Sequence, residues 1–482
     1  MRRFPAAAAV RSVRGDGSLT DERTPTMTRE TSGSLADALA RAGDPVQLLR
    51  NLQSRATTFP VQPEFTNWRS EQHAWTTTCA LLDQSHHMTD LFVSGPDAQR
   101  LLSDLAVNSF AGFGVGKAKQ FIAVSPEGLL IGDAILFHLE EELFDLVGHP
   151  FVLDWVQFHL ERGDYDAKAQ RDDNSAVRAS GPPQLYRYEL QGPTALAVVE
   201  AASGAPVPEV RFFGTTQLTV AGHRVTALRH GMAGQPGFEL FGPWADGADV
   251  LAALLEAGEA HGLVRAGARA YSTANLESGW VPAPFPAVFS DHPLMAEYRA
   301  WLPAAKVGSV GGSFTADDVT AYSLDPYEVG YGRSVKFDHE FIGREALERR
   351  AAETTRTKVT LVWDAADVAD AIGSLFRPGP GAKHVELPKA RYATHHVDAV
   401  LHDGAPVGVS LDCGYLANER AFVSLAVVDV AHAEPGTRVD VLWGESPNST
   451  KPQVEPHEQR TVRATVAPAP FVQFARESYR AR

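Results

Sequence analysis

The chain has 482 residues, 44% hydrophobic and 21% charged, which suits a soluble globular protein of two or three domains, or one large body with an appendage. A formal net charge of −15 argues against nucleic acid or an anionic membrane as partner, and no run approaches the ~20 apolar residues of a membrane helix. Cys79 and Cys413 stand too far apart in sequence to suggest a disulfide framework or a cysteine metal site, and a reducing cytoplasm is expected.

The opening stretch, "MRRFPAAAAVRSVRGDGSLTDERTPTM", is Arg-rich but lacks an apolar core of signal-peptide length. Residues 1–33 are therefore expected to form a disordered tail, with Met27 as an alternative start. From residue 34 the pattern is globular. "LADALARAG" predicts a short helix, and "LFVSGPDAQRLLSDL" (91–105) a strand, a Gly-Pro turn and a helix opened by proline. Turn residues separate "QFIAV", "LLIGDAILFHL" and "LFDLVG" over 120–148, which predicts a meander of strands before a helix at "FVLDWVQFHLE". The layout then returns. "YELQGPTALAVVEAA" (188–202) is again strand, Gly-Pro and helix, and "RVTALRHGMAGQPGFELFGP" (224–243) is a hairpin. It is followed by the helix "ADVLAALLEAGEAHG", with Val250, Leu251, Leu254 and Leu255 on one face. This predicts a duplicated α+β body over 34–354, divided into about 34–180 and 181–354. Short strands and turns from 355 to 482 predict a separate all-β domain. Within it, the Pro/Gly-rich "FRPGPGAKHVELPKARY" (376–392) reads as either a lid or a surface insertion.

Few motifs carry chemistry. "GFGVGKAK" (112–119) lacks phosphate-loop spacing, since Ala111 stands where the first glycine belongs and Ala118 follows the lysine; a flexible turn is expected. Without a G-x-S-x-G elbow, serine or cysteine hydrolase chemistry has little support. The pairs His86–His87 and His395–His396 have no partner at metal-ligand spacing, and no metal is expected. Adjacent strand residues point to opposite faces, so one of His86 and His87 faces a pocket or both are structural. The least ordinary segment is "RAYSTANLESGW" (269–280). Read as a helix over 268–278 capped by Gly279, it places Tyr271, Asn275 and Ser278 on one face, against the modest helix propensity of Ser272, Thr273 and Asn275. Such a conflict marks either a functional site or polar packing between domains.

"VRAGARAYSTANLESGW" resembles the "G-ARD-x-LRLE-x-G" helix of the glycine-cleavage T-protein family, and "RHGMAGQPGFEL" (229–240) its "R-TGYTGE-x-GFE" hairpin. "VKFDHEFIGREAL" (335–347) and "APVGVSLDCGYLANERAFVSLA" (405–426) are similar to further segments of that family, in the family's order. "DQSHHMTD", "VNSF", "YSTANLESGW" and "PKARY" look like the tetrahydrofolate-dependent aromatic O-demethylases that act on vanillate, syringate or 3-O-methylgallate. The resemblance implies a duplicated ferredoxin-like folate-binding body with a C-terminal β-barrel. It also implies transfer of a methyl group from a lignin-derived methoxyarene to N5 of tetrahydrofolate. Phenolate is a reluctant leaving group, and tyrosine, with an unperturbed pKa of about 10, stays protonated at neutral pH to supply the proton. Tyr271 is at the matching position and is expected to be the general acid. Gln191, Glu239 and Trp280 match folate contacts, and His86 or His87 would line the aromatic pocket. His149 in "LVGHP" stands near where an arginine would grip a substrate carboxylate, which a protonated histidine holds less firmly. Asp133 in "LLIGDAILF" stands near the T-protein's catalytic aspartate. That keeps a glycine-cleavage-type aminomethyltransferase in view, alongside a dimethylsulfoniopropionate demethylase. A non-catalytic iron–sulfur assembly factor would carry "KGCY-x-GQE", where this chain has "HEFIGREAL" without cysteine.

Overall fold

The computed structural model describes residues 33–53 and 59–479. The expected tail, Met27 included, lies outside the described residues except for Gly33. The first helix, Leu35–Ala42, starts where Ser34 and Asp37 cap each other reciprocally, the Asp37 N–H donating to Ser34 Oγ at 3.1 Å.

The duplication is visible in strand order. One sheet of five strands runs Lys117–Val124, Leu130–Glu140, Leu143–Gly148, Thr89–Ser94, Lys168–Asp172. The other runs Thr215–Val220, His223–Arg229, Gly237–Pro243, Leu185–Gln191, and then adds Cys79–Asp83 and Leu263–Ala266. In each half the leading strand, Thr89–Ser94 or Leu185–Gln191, pairs antiparallel with the last strand of its own meander. In both halves that strand ends in Gly-Pro before a helix, Ala98–Leu105 or Ala195–Ser203. Gly95 and Gly192 take φ of 122° and 131°, and a Cβ would lie 2.6 Å from Asp166 O at the first and 2.4 Å from Thr78 O at the second. Only glycine allows both that rotation and that approach.

The division expected near residue 180 is crossed by one strand. Cys79–Asp83 lies in the second sheet, parallel to Leu263–Ala266 and antiparallel to Leu185–Gln191. The helix-covered face of this sheet buries Tyr186, Tyr188 and Leu190 with Val198, Val250 and Leu254. The apolar face of the first sheet shares a core with residues 281–347 and with Val409, Leu425 and Val427 of the C-terminal domain.

That domain is a closed barrel of Arg356–Trp363, Ala421–Asp429, Ala405–Leu416, Asp398–His402, Arg438–Trp443 and Arg460–Ala467. Alternate residues such as Leu361, Trp363, Val441 and Trp443 fill its interior, the arrangement that lets a small barrel act as its own core. The excursion after Phe376 has no helix or strand until His395. It is no mere surface insertion, because Arg269 donates to Leu387 O at 2.6 Å and Lys389 to Ser272 O at 2.9 Å. Among the described residues no helix is long and apolar enough to cross a membrane.

Candidate functional site

Strand alternation builds the floor of the site. Tyr186, Tyr188 and Leu190 face the helices, so Arg187, Glu189 and Gln191 face the other way, toward the first sheet. Glu239 pairs directly across from Glu189, and Gln84, just past Asp83, donates its amide to the Glu189 carboxylate. Arg187 bonds Glu239 at 3.0 Å, Asp145 at 2.8 Å and Asp90, and so ties the two sheets together. Burial, then the neighbouring Glu239, pushes Glu189 well above the usual carboxyl range. Burial and Asp90 do the same to Asp145. Glu239 is raised by burial too, but Arg187 opposes the rise and favours its charged form. Gln191 accepts from the Ala233 N–H at 2.7 Å, while its buried Nε2 has no hydrogen-bond partner.

The segment expected as one helix over 268–278 is two, Ala268–Tyr271 and Ala274–Ser278, with Gly279 capping the second at φ 71°. The hydroxyls of Ser272 and Thr273 reach back to Arg269 O (2.7 Å) and Ala270 O (2.9 Å), offering the backbone an alternative to the helical ladder. The break turns Tyr271 away from Asn275. Asn275 bonds Asp412 of the barrel at 2.7 Å, whereas the Tyr271 hydroxyl bonds His87 Nε2 at 2.8 Å with the rings edge to face. His87 is thus the member of the pair that meets Tyr271. His86 instead bonds Ser175 at 2.8 Å and abuts Trp244. Burial, Arg391 and His86 lower His87 to about 4, so the ring is neutral at pH 7. Nε2 of this neutral ring can accept the proton that the Tyr271 hydroxyl keeps at neutral pH. Tyr271 is held well above its ordinary value of 10, by burial first and then by Glu189 and Glu239, with Arg391 and Gln84 opposing.

Trp280 does not present a free indole N–H. It donates to Asp133 at 3.1 Å, on the same oxygen that receives Gln120 (2.8 Å) and Tyr331 (3.2 Å). Burial raises the Asp133 pKa despite these donors. His149, expected as a substrate contact, is exposed and sets its ring against Phe151, with centroids 4.2 Å apart; the protein packed around it lowers its pKa to about 4, which favours the neutral ring.

Sequence reasoning missed Gln84, Arg187, Glu189, Lys389 and Arg391. Arg187 and Glu189 follow from period-two alternation; Lys389 and Arg391 lie in the excursion, which reaches the Ser272 backbone only through the tertiary fold. A cavity of about 250 Å³ opens where the excursion crosses residues 281–285, lined by Phe285, Tyr322, Lys389, Arg391 and His395 among others. Lys389 is committed to Asp412. Arg391 is exposed, and its charge reaches both Tyr271 and His87. Neither this cavity nor a larger groove of about 530 Å³, between Glu127, Asp325, Glu328 and Arg350, is lined by Tyr271 or His87; the smaller one adjoins them through the excursion, where Lys389 bonds Ser272 O. Among the described residues no group of three His, Cys, Asp or Glu side chains could hold a metal ion.

Comparison with known proteins agrees with this arrangement. Residues 48–296 match the GCVT N-terminal domain family. The chain is 47% identical to syringate O-demethylase of Sphingobium sp., over 92% of this chain and 97% of that one. It is 30% identical to sesamin methylene transferase of Sinomonas sp., covering 79% and 82% of the two chains. The crystal structure of the glycine cleavage system aminomethyltransferase T from Bartonella henselae superposes with a TM-score of 0.58 at 18% identity, covering 86% of this chain and 94% of that chain, which is likeness of fold. The duplicated body carrying Tyr271, followed by the closed barrel, is the architecture of a family to which this chain belongs, that of the glycine-cleavage T-protein and the aromatic O-demethylases.

Proposed function

We infer that the protein is a tetrahydrofolate-dependent O-demethylase that transfers the methyl group of a methoxyarene to N5 of tetrahydrofolate, releasing a phenol. The observation that carries this reading is Tyr271: a phenol kept protonated by burial, bonded to a neutral His87 and set beside a face of buried carboxyls.

The residues present fit a reduced pterin. Gln191 Nε2 is a buried donor without a partner, and Arg187 favours the charged form of the Glu239 carboxylate, a fitting acceptor for ring N–H and amino groups. Bound there, tetrahydrofolate supplies the amine that accepts the methyl group. Glu189 and Gln84 brace this face from beneath, and Trp280 acts through the Asp133 it holds.

Tyr271 donates its proton to the ether oxygen as the aryl–oxygen pair departs, so that a phenol leaves in place of a phenolate. As the methyl–oxygen bond breaks, the departing oxygen gains the basicity of a phenolate, whose conjugate acid has a pKa of about 10, and so takes the proton in preference to the His87 ring, lowered to about 4. Holding both reactants beside one proton donor contributes by proximity. The test is a screen of methoxybenzoates and methoxyphenols with tetrahydrofolate, following 5-methyltetrahydrofolate. Turnover of a dihydrolipoyl-protein substrate with no demethylation would favour the aminomethyltransferase reading instead.

A further inference from the structure

Arg391 stands apart from the other cations around the site. Arg187 is bonded to Glu239, Asp90 and Asp145, and Lys389 is paired with Asp412. Arg391 lines the 250 Å³ cavity, is exposed, and has no hydrogen-bond or ion-pair partner among the described residues. The rest of the lining is largely apolar or neutral: Phe285 and Tyr322 offer aromatic surface, and His395, lowered to about 3 by burial and by His149, carries no charge. An unpaired guanidinium in such a wall is a planar fork of donors, the geometry that takes a carboxylate with two parallel hydrogen bonds.

We propose that Arg391 binds the ring carboxylate of the aromatic substrate, and that the enzyme thereby selects methoxybenzoates over neutral methoxyarenes. This rests on the demethylase reading above. Two carboxylates could meet Arg391: that of the substrate ring, or those on the glutamate end of the folate. The ring carboxylate is favoured because Lys389, two residues before Arg391, bonds Ser272 O at 2.9 Å and so holds this stretch of the excursion beside Tyr271, where the reacting ether oxygen would lie. On a benzoate the carboxylate is one ring's width from that oxygen, whereas the glutamate end of folate is remote from its reactive nitrogen.

The test compares Arg391→Met and Arg391→Lys in the full-length enzyme, with syringate and with syringol, the same ring lacking the carboxylate. Arg391→Met is expected to raise KM for syringate on the order of a hundredfold, with Arg391→Lys in between. KM for syringol, or its inhibition constant if it is not turned over, and the Kd of tetrahydrofolate should change less than about twofold, since neither gives up a charge pair. Equal losses on both rings, concentrated in kcat, would place Arg391 at the reacting oxygen and overturn the proposal; so would a weakened tetrahydrofolate Kd with syringate unaffected. Calorimetric binding of syringate to wild type and Arg391→Met reads the contact without turnover. If no methoxyarene is demethylated, the demethylase reading fails, and this measurement still decides Arg391.

Discussion

Tyr271 and His87 share a hydrogen bond of 2.8 Å and an edge-to-face contact with centroids 4.9 Å apart, joining a helix of the second half to a loop of the first. The Tyr271→Phe variant keeps the ring contact and removes only the proton. Its kcat should fall by about 10²–10⁴-fold, the usual worth of a positioned acid, with tetrahydrofolate affinity retained. Initial rates of 5-methyltetrahydrofolate formation, read beside calorimetric folate binding, check this. Near-wild-type turnover would remove Tyr271 from the chemistry.

Arg187 bridges Glu239 to the pair Asp90 and Asp145. Replacing it with methionine strands buried carboxylates without their cation, a loss of about 3–5 kcal/mol. Asp145→Asn, in contrast, should cost less than about 1 kcal/mol, because the native carboxyl is already biased toward its protonated form. Urea unfolding of both variants distinguishes them, and comparable losses would show that Asp145 is ionised.

Glu277 carries a pH signature. It is fully buried, receives the Trp75 indole N–H on both oxygens, and is pushed by burial from 4.5 to about 8. Between those values the folded chain holds a proton that the unfolded chain has released. Stability is therefore full below 4.5 and falls as pH rises toward 8. Glu277→Gln should remove one proton's worth of that slope and stabilise the protein at neutral pH. Unfolding free energies across this range would show it, and an unchanged slope would mean that Glu277 is ionised in the native state.

Gly237 sits where a Cβ would lie 2.1 Å from Leu190 O, in the pair that registers Gln191. Gly237→Ala should destabilise by about 1–3 kcal/mol, as overpacking does, and weaken folate binding through Gln191 while leaving Tyr271 in place. Thermal unfolding and calorimetry with tetrahydrofolate test the two effects separately.

Much of this was legible in the chain. The two Gly-Pro turns reveal the duplication, because a strand ending in a left-handed glycine before a helix is a local signal. The barrel is equally local, with strands set apart by turn residues. Cys79–Asp83 was harder to place: "CALL" is buried throughout, so no alternation says which sheet receives it. The break at Ser272–Thr273 could have been foreseen from two adjacent hydroxyls able to cap backwards. Arg391 could not, since its proximity to Tyr271 exists only once the barrel has docked.

That docking has an evolutionary consequence. Tyr271 comes from the second half, His87 from the first, and Arg391 from the barrel's long excursion, so the proposed site has no single owner along the gene. Recombination between relatives that exchanged the barrel alone would bring a foreign excursion loop against Arg269 and Ser272. New substrate preferences in this lineage should therefore arise by point changes inside that loop sooner than by trading whole modules.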